Sequence, residues 1–159
     1  MKMKNLTKLL IGSMMVMSTA AFADGFVCSS ESGLNVKVYN KTSAEEGTRN
    51  AGVMIISDSN VSDGKKTIAR FQADNGVLNN AGASYAADVD LRFNDSNLKG
   101  RNIGGTKFGF LKQINLDVDF LYSQPVEKGA TLKGTLTLIK RNGDSNEIEL
   151  TCTRYLKAE

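Results

Sequence analysis

Five stretches of this chain alternate apolar and polar residues with a period of two, and that period dictates extended backbone. Leu34, Val36 and Val38 alternate with Asn35, Lys37 and Tyr39. Tyr85, Ala87, Val89, Leu91 and Phe93 alternate with Ala86, Asp88, Asp90 and Arg92. Ile114, Leu116, Val118, Phe120 and Tyr122 share one face, Leu132, Gly134, Leu136 and Leu138 another, and Ile148, Leu150 and Cys152 a third. Successive side chains of a strand point to opposite sides, so each run offers one face to a core and one to water. That division suits antiparallel strands. Phe26 and Cys28 fit a short first strand, Val53–Ile56 is a continuous apolar run, and Ala69, Phe71 and Ala73 share a face within Thr67–Ala73.

No segment carries a sustained 3.6-residue apolar pattern. Thr42–Arg49 has only Ala44 to bury and contains Gly47, so it reads as a loop or one turn. Turn chemistry separates the strands: Asn142-Gly143 marks a hairpin, and Asp63-Gly64, Asn75-Gly76 and Gly104-Gly105 mark other turns. Pro125 has no N–H to give a central ladder. About eight strands in one all-β domain follow, arranged as a single antiparallel β-barrel, with a β-sandwich as the alternative.

The only two cysteines, Cys28 and Cys152, frame this domain. Two cysteines permit one intramolecular pair, and a bond over so long a loop constrains the unfolded chain by about 4–5 kcal/mol on the entropic account. Cys152 shares its face with Ile148 and Leu150, so its sulfur points inward. A bond between the first and last strands is easiest if they lie close together, as in a sheet that closes on itself. No Cys-x-x-Cys motif suggests a redox role.

Residues 1–23 read as a secretory leader. Lys2, Lys4 and Lys8 precede an apolar stretch from Leu9 to Met17, and Ala21-Phe22-Ala23 supplies a small-x-small cleavage site between Ala23 and Asp24. The apolar run is too short to span a bilayer, which needs about 20 residues. Gly25-Phe26-Val27 before Cys28 is a poor lipobox. Over the whole chain, 20 Lys and Arg face 17 Asp and Glu. Cleavage removes three lysines and no acid, so the cations then equal the acids in number, and an electrostatic case for nucleic-acid binding disappears. The expected location is the periplasm or the exterior, which suits a disulfide.

The chain has no His, which removes imidazole-based catalysis and metal binding, and two Cys make no Cys₄ zinc site. Ser62-x-x-Lys65 and Ser96-x-x-Lys99 match a Ser–Lys acyltransferase spacing, but no helix follows to bring amine and hydroxyl together. Gly100 and Gly105 bracket four residues before Thr106-Lys107, the reverse of the order a phosphate-binding loop needs. The Gly-rich segment Arg101–Phe110 instead reads as a loop that uses Phe108 and Phe110 to cover one barrel end or to meet a partner. Asp58-x-Asn60-x-Ser62 opens like a calcium loop, but position twelve is Ala69 and cannot close it. Asp88, Asp90, Asp117 and Asp119 occupy the polar faces of two strands. They read as a solvated wall, or as the carboxylates of a hydrolase if a cleft holds them.

Six blocks carry a resemblance: FVCSSESGLNVKVYN at 26–40, VDLRF at 89–93, NIGGTKFG at 102–109, LDVDFLY at 116–122, LIKRNG at 138–143 and CTRYLK at 152–157. Together they resemble small exported β-rich proteins of predatory Gram-negative bacteria, a group with no assigned activity. Phe26-x-Cys28, Val36–Tyr39 and Ala81–Tyr85 are also similar to the opening strand and the Ser-Gly-x-x-Tyr loop of periplasmic inhibitors of C-type lysozyme, which are small disulfide-bonded β-barrels. Ala81 replaces the loop serine, Trp is absent and the chain is longer, so only Tyr85 carries over as an inhibitory residue.

The expectation is a monomeric, exported, non-enzymatic binding protein whose partner is a protein or a small apolar ligand. It needs no cofactor or metal. The alternatives are a lysozyme-inhibitor-like protein and a carboxylate-dependent hydrolase.

Overall fold

The structure, a computed structural model, describes residues 24–42, 49–59, 67–72, 78–79, 84–91, 100–121, 127 and 129–156. The leader, the Thr42–Arg49 connection beyond its two end residues, Pro125, both Ser-x-x-Lys motifs and the Asp63-Gly64 and Asn75-Gly76 turns lie outside them.

The chain forms strands β1 (Asp24–Ser29), β2 (Leu34–Thr42), β3 (Arg49–Asp58), β4 (Thr67–Gln72), β5 (Leu78–Asn79) and β6 (Ser84–Asp90); β5 has no counterpart in the sequence reading. A small hairpin follows, β7 (Asn102–Ile103) and β8 (Thr106–Lys107), then β9 (Leu111–Leu121), β10 (Thr131–Lys140) and β11 (Ser145–Leu156). One sheet contains all but β7 and β8, in the order β4-β3-β2-β1-β11-β10-β9-β6-β5, and its ladders are antiparallel. Eight of its strands have six residues or more, and β5 adds two at one edge.

The faces follow the period-two reading. Phe26, Cys28, Val36, Val38, Ala87, Val89, Ile114, Leu116, Leu136 and Leu138 are buried on the inner face. Within the apolar run of β3, Met54 and Ile56 point in, while Val53 and Ile55 are half-buried on the outer side. In β4, Ile68 lies on the face opposite Ala69 and Phe71 by alternation, yet all three are buried. The run from Tyr85 stops as a strand at Asp90; Leu91 still reaches the ladder, donating its N–H to the Lys112 carbonyl at 2.9 Å.

A single sheet curls until its inner face meets itself. Phe26 on β1 packs against Tyr85 on β6 with ring centroids 4.4 Å apart, and against Phe120 on β9 at 5.3 Å. Register shifts at Tyr39/Asn40, Ile56/Ser57, Ser84/Tyr85 and Ile139/Lys140 bend the strands that must curl, the usual effect of a β-bulge. The result is a nearly closed antiparallel barrel with one disulfide, Cys28–Cys152. Both sulfurs point inward, and the two residues face each other directly in the β1–β11 ladder with Cα atoms 3.9 Å apart. The first and last strands are therefore neighbours in the middle of the sheet. The sheet's edges are β4 and β5, so the bond reinforces a formed ladder and does not span the seam. Gly134 on β10 makes room for it: a Cβ there would lie 2.5 Å from Cys152 Sγ.

Candidate functional site

Residues 101–110 pack over one end of the barrel, with Ile103 and Phe108 buried. Gly104 and Gly105 have φ of +51° and +77°, the backbone a tight two-residue hairpin turn requires, and they reverse the chain between β7 and β8. Ile103 and Thr106 form a cross-strand pair on the buried side of this hairpin, while Asn102 and Lys107 face out. The 3-10 turn Phe108–Phe110 then splits the two aromatics. Phe108 is buried and stacks on Phe71 of β4 with centroids 6.5 Å apart. Phe110 is 61% exposed. The sequence expectation offered this loop a lid or a partner contact; Phe108 serves the lid and Phe110 points to solvent.

Hydrogen bonds anchor the lid at both sides. An Arg101 Nη1–H donates to the Ile68 carbonyl at 2.6 Å, and the Phe108 N–H donates to the Arg101 carbonyl at 2.8 Å. On the far side, the Arg141 N–H donates to the Phe110 carbonyl at 2.9 Å, which fixes the lid against the β10–β11 turn. That turn is itself braced. The Lys140 N–H donates to the Asp144 carbonyl at 2.8 Å, Gly143 takes a φ of +93°, and Asn142 Nδ2 donates to the Asp144 carboxylate at 2.7 Å.

Between lid and turn lies a cleft of about 530 Å³. Gly105, Thr106 and Asn142 line it together with Lys107, Phe110, Lys140 and Arg141. Three cations and an exposed aromatic ring thus line one cleft, and no carboxylate is among its described lining residues. A second concavity of about 510 Å³ lies by the β1–β2 turn. It mixes hydroxyls with Glu31, Glu149 and Lys133, and no aromatic ring is among its described lining residues.

The four aspartates lie on the outside of the barrel. The β6–β9 ladder brings them onto one outer wall, with Asp117 opposite Ala86 and Asp88 opposite Asn115. Asp90, Asp117 and Asp119 are exposed, and Asp88 is half-buried. Burial, then the neighbouring carboxylates of Asp117 and Asp90, raises the Asp88 pKa above its ordinary value. Among the described residues no group of three or more acidic or cysteine side chains is placed to hold a metal ion. The inner wall that a hydrolase reading would need for them is occupied by the apolar core. Tyr85, the residue that the inhibitor resemblance carried over, is 1% exposed against Phe26 and belongs to that core.

Arg101–Phe110 was visible in the sequence as a candidate segment; Lys140 and Arg141 were not. They read as the end of a strand beside an Asn-Gly turn, and only the lid's position gives them a shared cleft. Compared with family models, with curated proteins and with solved structures, the chain matches none.

Proposed function

We propose that this chain is an exported, non-enzymatic binding protein that takes its ligand at the lidded end of the barrel, outside the core. The observation that carries this reading is the cleft formed by Lys107, Phe110, Lys140 and Arg141. Its volume falls in the range of about 300–1,000 Å³ usual for small-molecule sites, and its walls are fixed by backbone hydrogen bonds before any ligand arrives. Preformed walls lower the ordering cost of association. The interior is a poorer host, because the rings of Phe26, Tyr85 and Phe120 pack against one another there from three strands. Export rests on the leader-like residues 1–23 and on a disulfide, which persists in oxidising compartments.

An amide-shift titration of the 24–159 protein with a mixture of small fragments tests the reading. Shifts clustered at Gly105, Lys107, Phe110, Arg141 and Asn142 are expected. Shifts confined to Phe26, Tyr85 and Leu116 would move the site into the barrel and overturn it.

A further inference from the structure

Resting on that binding reading, we propose that the cleft selects a small anion bearing a flat apolar group, an aryl carboxylate or aryl phosphate. Phe110 presents an exposed ring at the cleft wall, and its carbonyl is held by the Arg141 N–H at 2.9 Å. A flat apolar group can therefore stack on Phe110 without ordering the loop. Lys107, Lys140 and Arg141 line the same cleft, so an oxyanion attached to that group meets positive charge on more than one side. The Lys107 and Lys140 ammonium groups act as point charges toward carboxylate or phosphate oxygens.

The charge is a local property of the fold. Without the leader the chain is formally neutral, yet Lys107, Lys140 and Arg141 line one cleft while Asp88, Asp90, Asp117 and Asp119 line the outer wall of β6 and β9. Such segregation attracts anions to one end over roughly a Debye length, about 10 Å at 0.1 M salt. A neutral apolar ligand would make no use of Lys107 and Lys140, and a bare inorganic anion would make none of Phe110. Only a ligand with both parts uses the whole cleft.

Phenyl phosphate, inorganic phosphate and benzyl alcohol, titrated separately against the 24–159 protein and followed by amide shifts, decide the matter. Phenyl phosphate is expected to bind at least tenfold tighter than either of the others, with shifts at residues 105–107, 110, 141 and 142. Raising the salt from about 0.05 to about 0.5 M should weaken it several-fold. Phe110→Ala should reduce phenyl phosphate to the affinity of inorganic phosphate. The double variant Lys107→Gln, Lys140→Gln should reduce it to that of benzyl alcohol. Spectra unchanged away from the cleft would establish that each variant folds. If benzyl alcohol shifts the cleft residues as strongly as phenyl phosphate, the anionic ligand class is wrong while the binding site stands. If no probe shifts the cleft residues, both fall.

Discussion

Phe26 and Tyr85 meet ring to ring at 4.4 Å although β11, β10 and β9 separate their strands in the sheet. Contact at that distance requires the sheet to curl back on itself, so this pair is a direct signature of the barrel. Truncating Phe26 to Ala should cost about 3–5 kcal/mol, the range for a large core aromatic. Phe110→Ala, at an exposed site, should cost within about 0.5 kcal/mol. Urea unfolding of both variants checks the contrast; equal costs would mean that the core lies elsewhere.

The disulfide should carry much of the stability of a domain this size. Replacing Cys28 and Cys152 together with Ala is expected to lower the unfolding free energy by about 2–5 kcal/mol, seen as a lower urea midpoint. Both sulfurs are fully buried, so a thiol reagent should label the native protein at neither position, even with mild reductant present.

Gly134 is required by its neighbour and not by its own backbone. An added Cβ would lie 2.5 Å from Cys152 Sγ and 3.3 Å from the Asp117 carbonyl oxygen. Gly134→Ala should therefore destabilise by about 1–3 kcal/mol through overpacking. A thermal melt unchanged from the parent protein would contradict the close approach of β10 to the disulfide.

Asp88 makes stability depend on pH. Its pKa is raised in the folded state, above the 3.8 of an unperturbed carboxyl, so the folded protein holds the proton more tightly than the unfolded chain. Stability is therefore greatest below that value and falls as pH rises from it through the folded-state pKa. Asp88→Asn removes the penalty. The variant should melt higher than the parent at pH 7, with the difference shrinking below about pH 3.8. A constant difference across both pH values would point to a cause other than ionisation.

The burial of Tyr85 bears on the inhibitor resemblance. With its ring inside the barrel, the protein is expected to leave a C-type lysozyme fully active at micromolar concentration. A turbidity assay on bacterial cell walls reads this directly, and inhibition would assign the activity to a residue other than Tyr85.

Much of the fold is legible before any coordinates. The period-two runs around Val36, Val89, Leu116, Leu136 and Leu150 each became a strand with the expected inner face. Asn142-Gly143 became the expected hairpin, and the lone cysteine pair became the disulfide. Strand ends were less legible: β9 begins at Leu111, before its alternating run, because β-bridge partners on β10 extend it. Alternation assumes one wet face and so does not foresee the burial of Ile68 together with Ala69 and Phe71; Arg101, distant in sequence, reaches the Ile68 carbonyl.

Alternation, turn residues and the sulfur pair are local or combinatorial properties, so the sequence by itself determined an antiparallel, disulfide-bonded β domain and the inward side of each strand. Which strands neighbour one another, where the sheet's edges fall and which loop seals the barrel depend on how the curled sheet buries its apolar face. The tertiary structure alone decided those, and with them the cleft. Lys107 and Phe110 belong to one connection and Lys140 and Arg141 to another, and charges that distant in sequence act together only once packing sets them side by side.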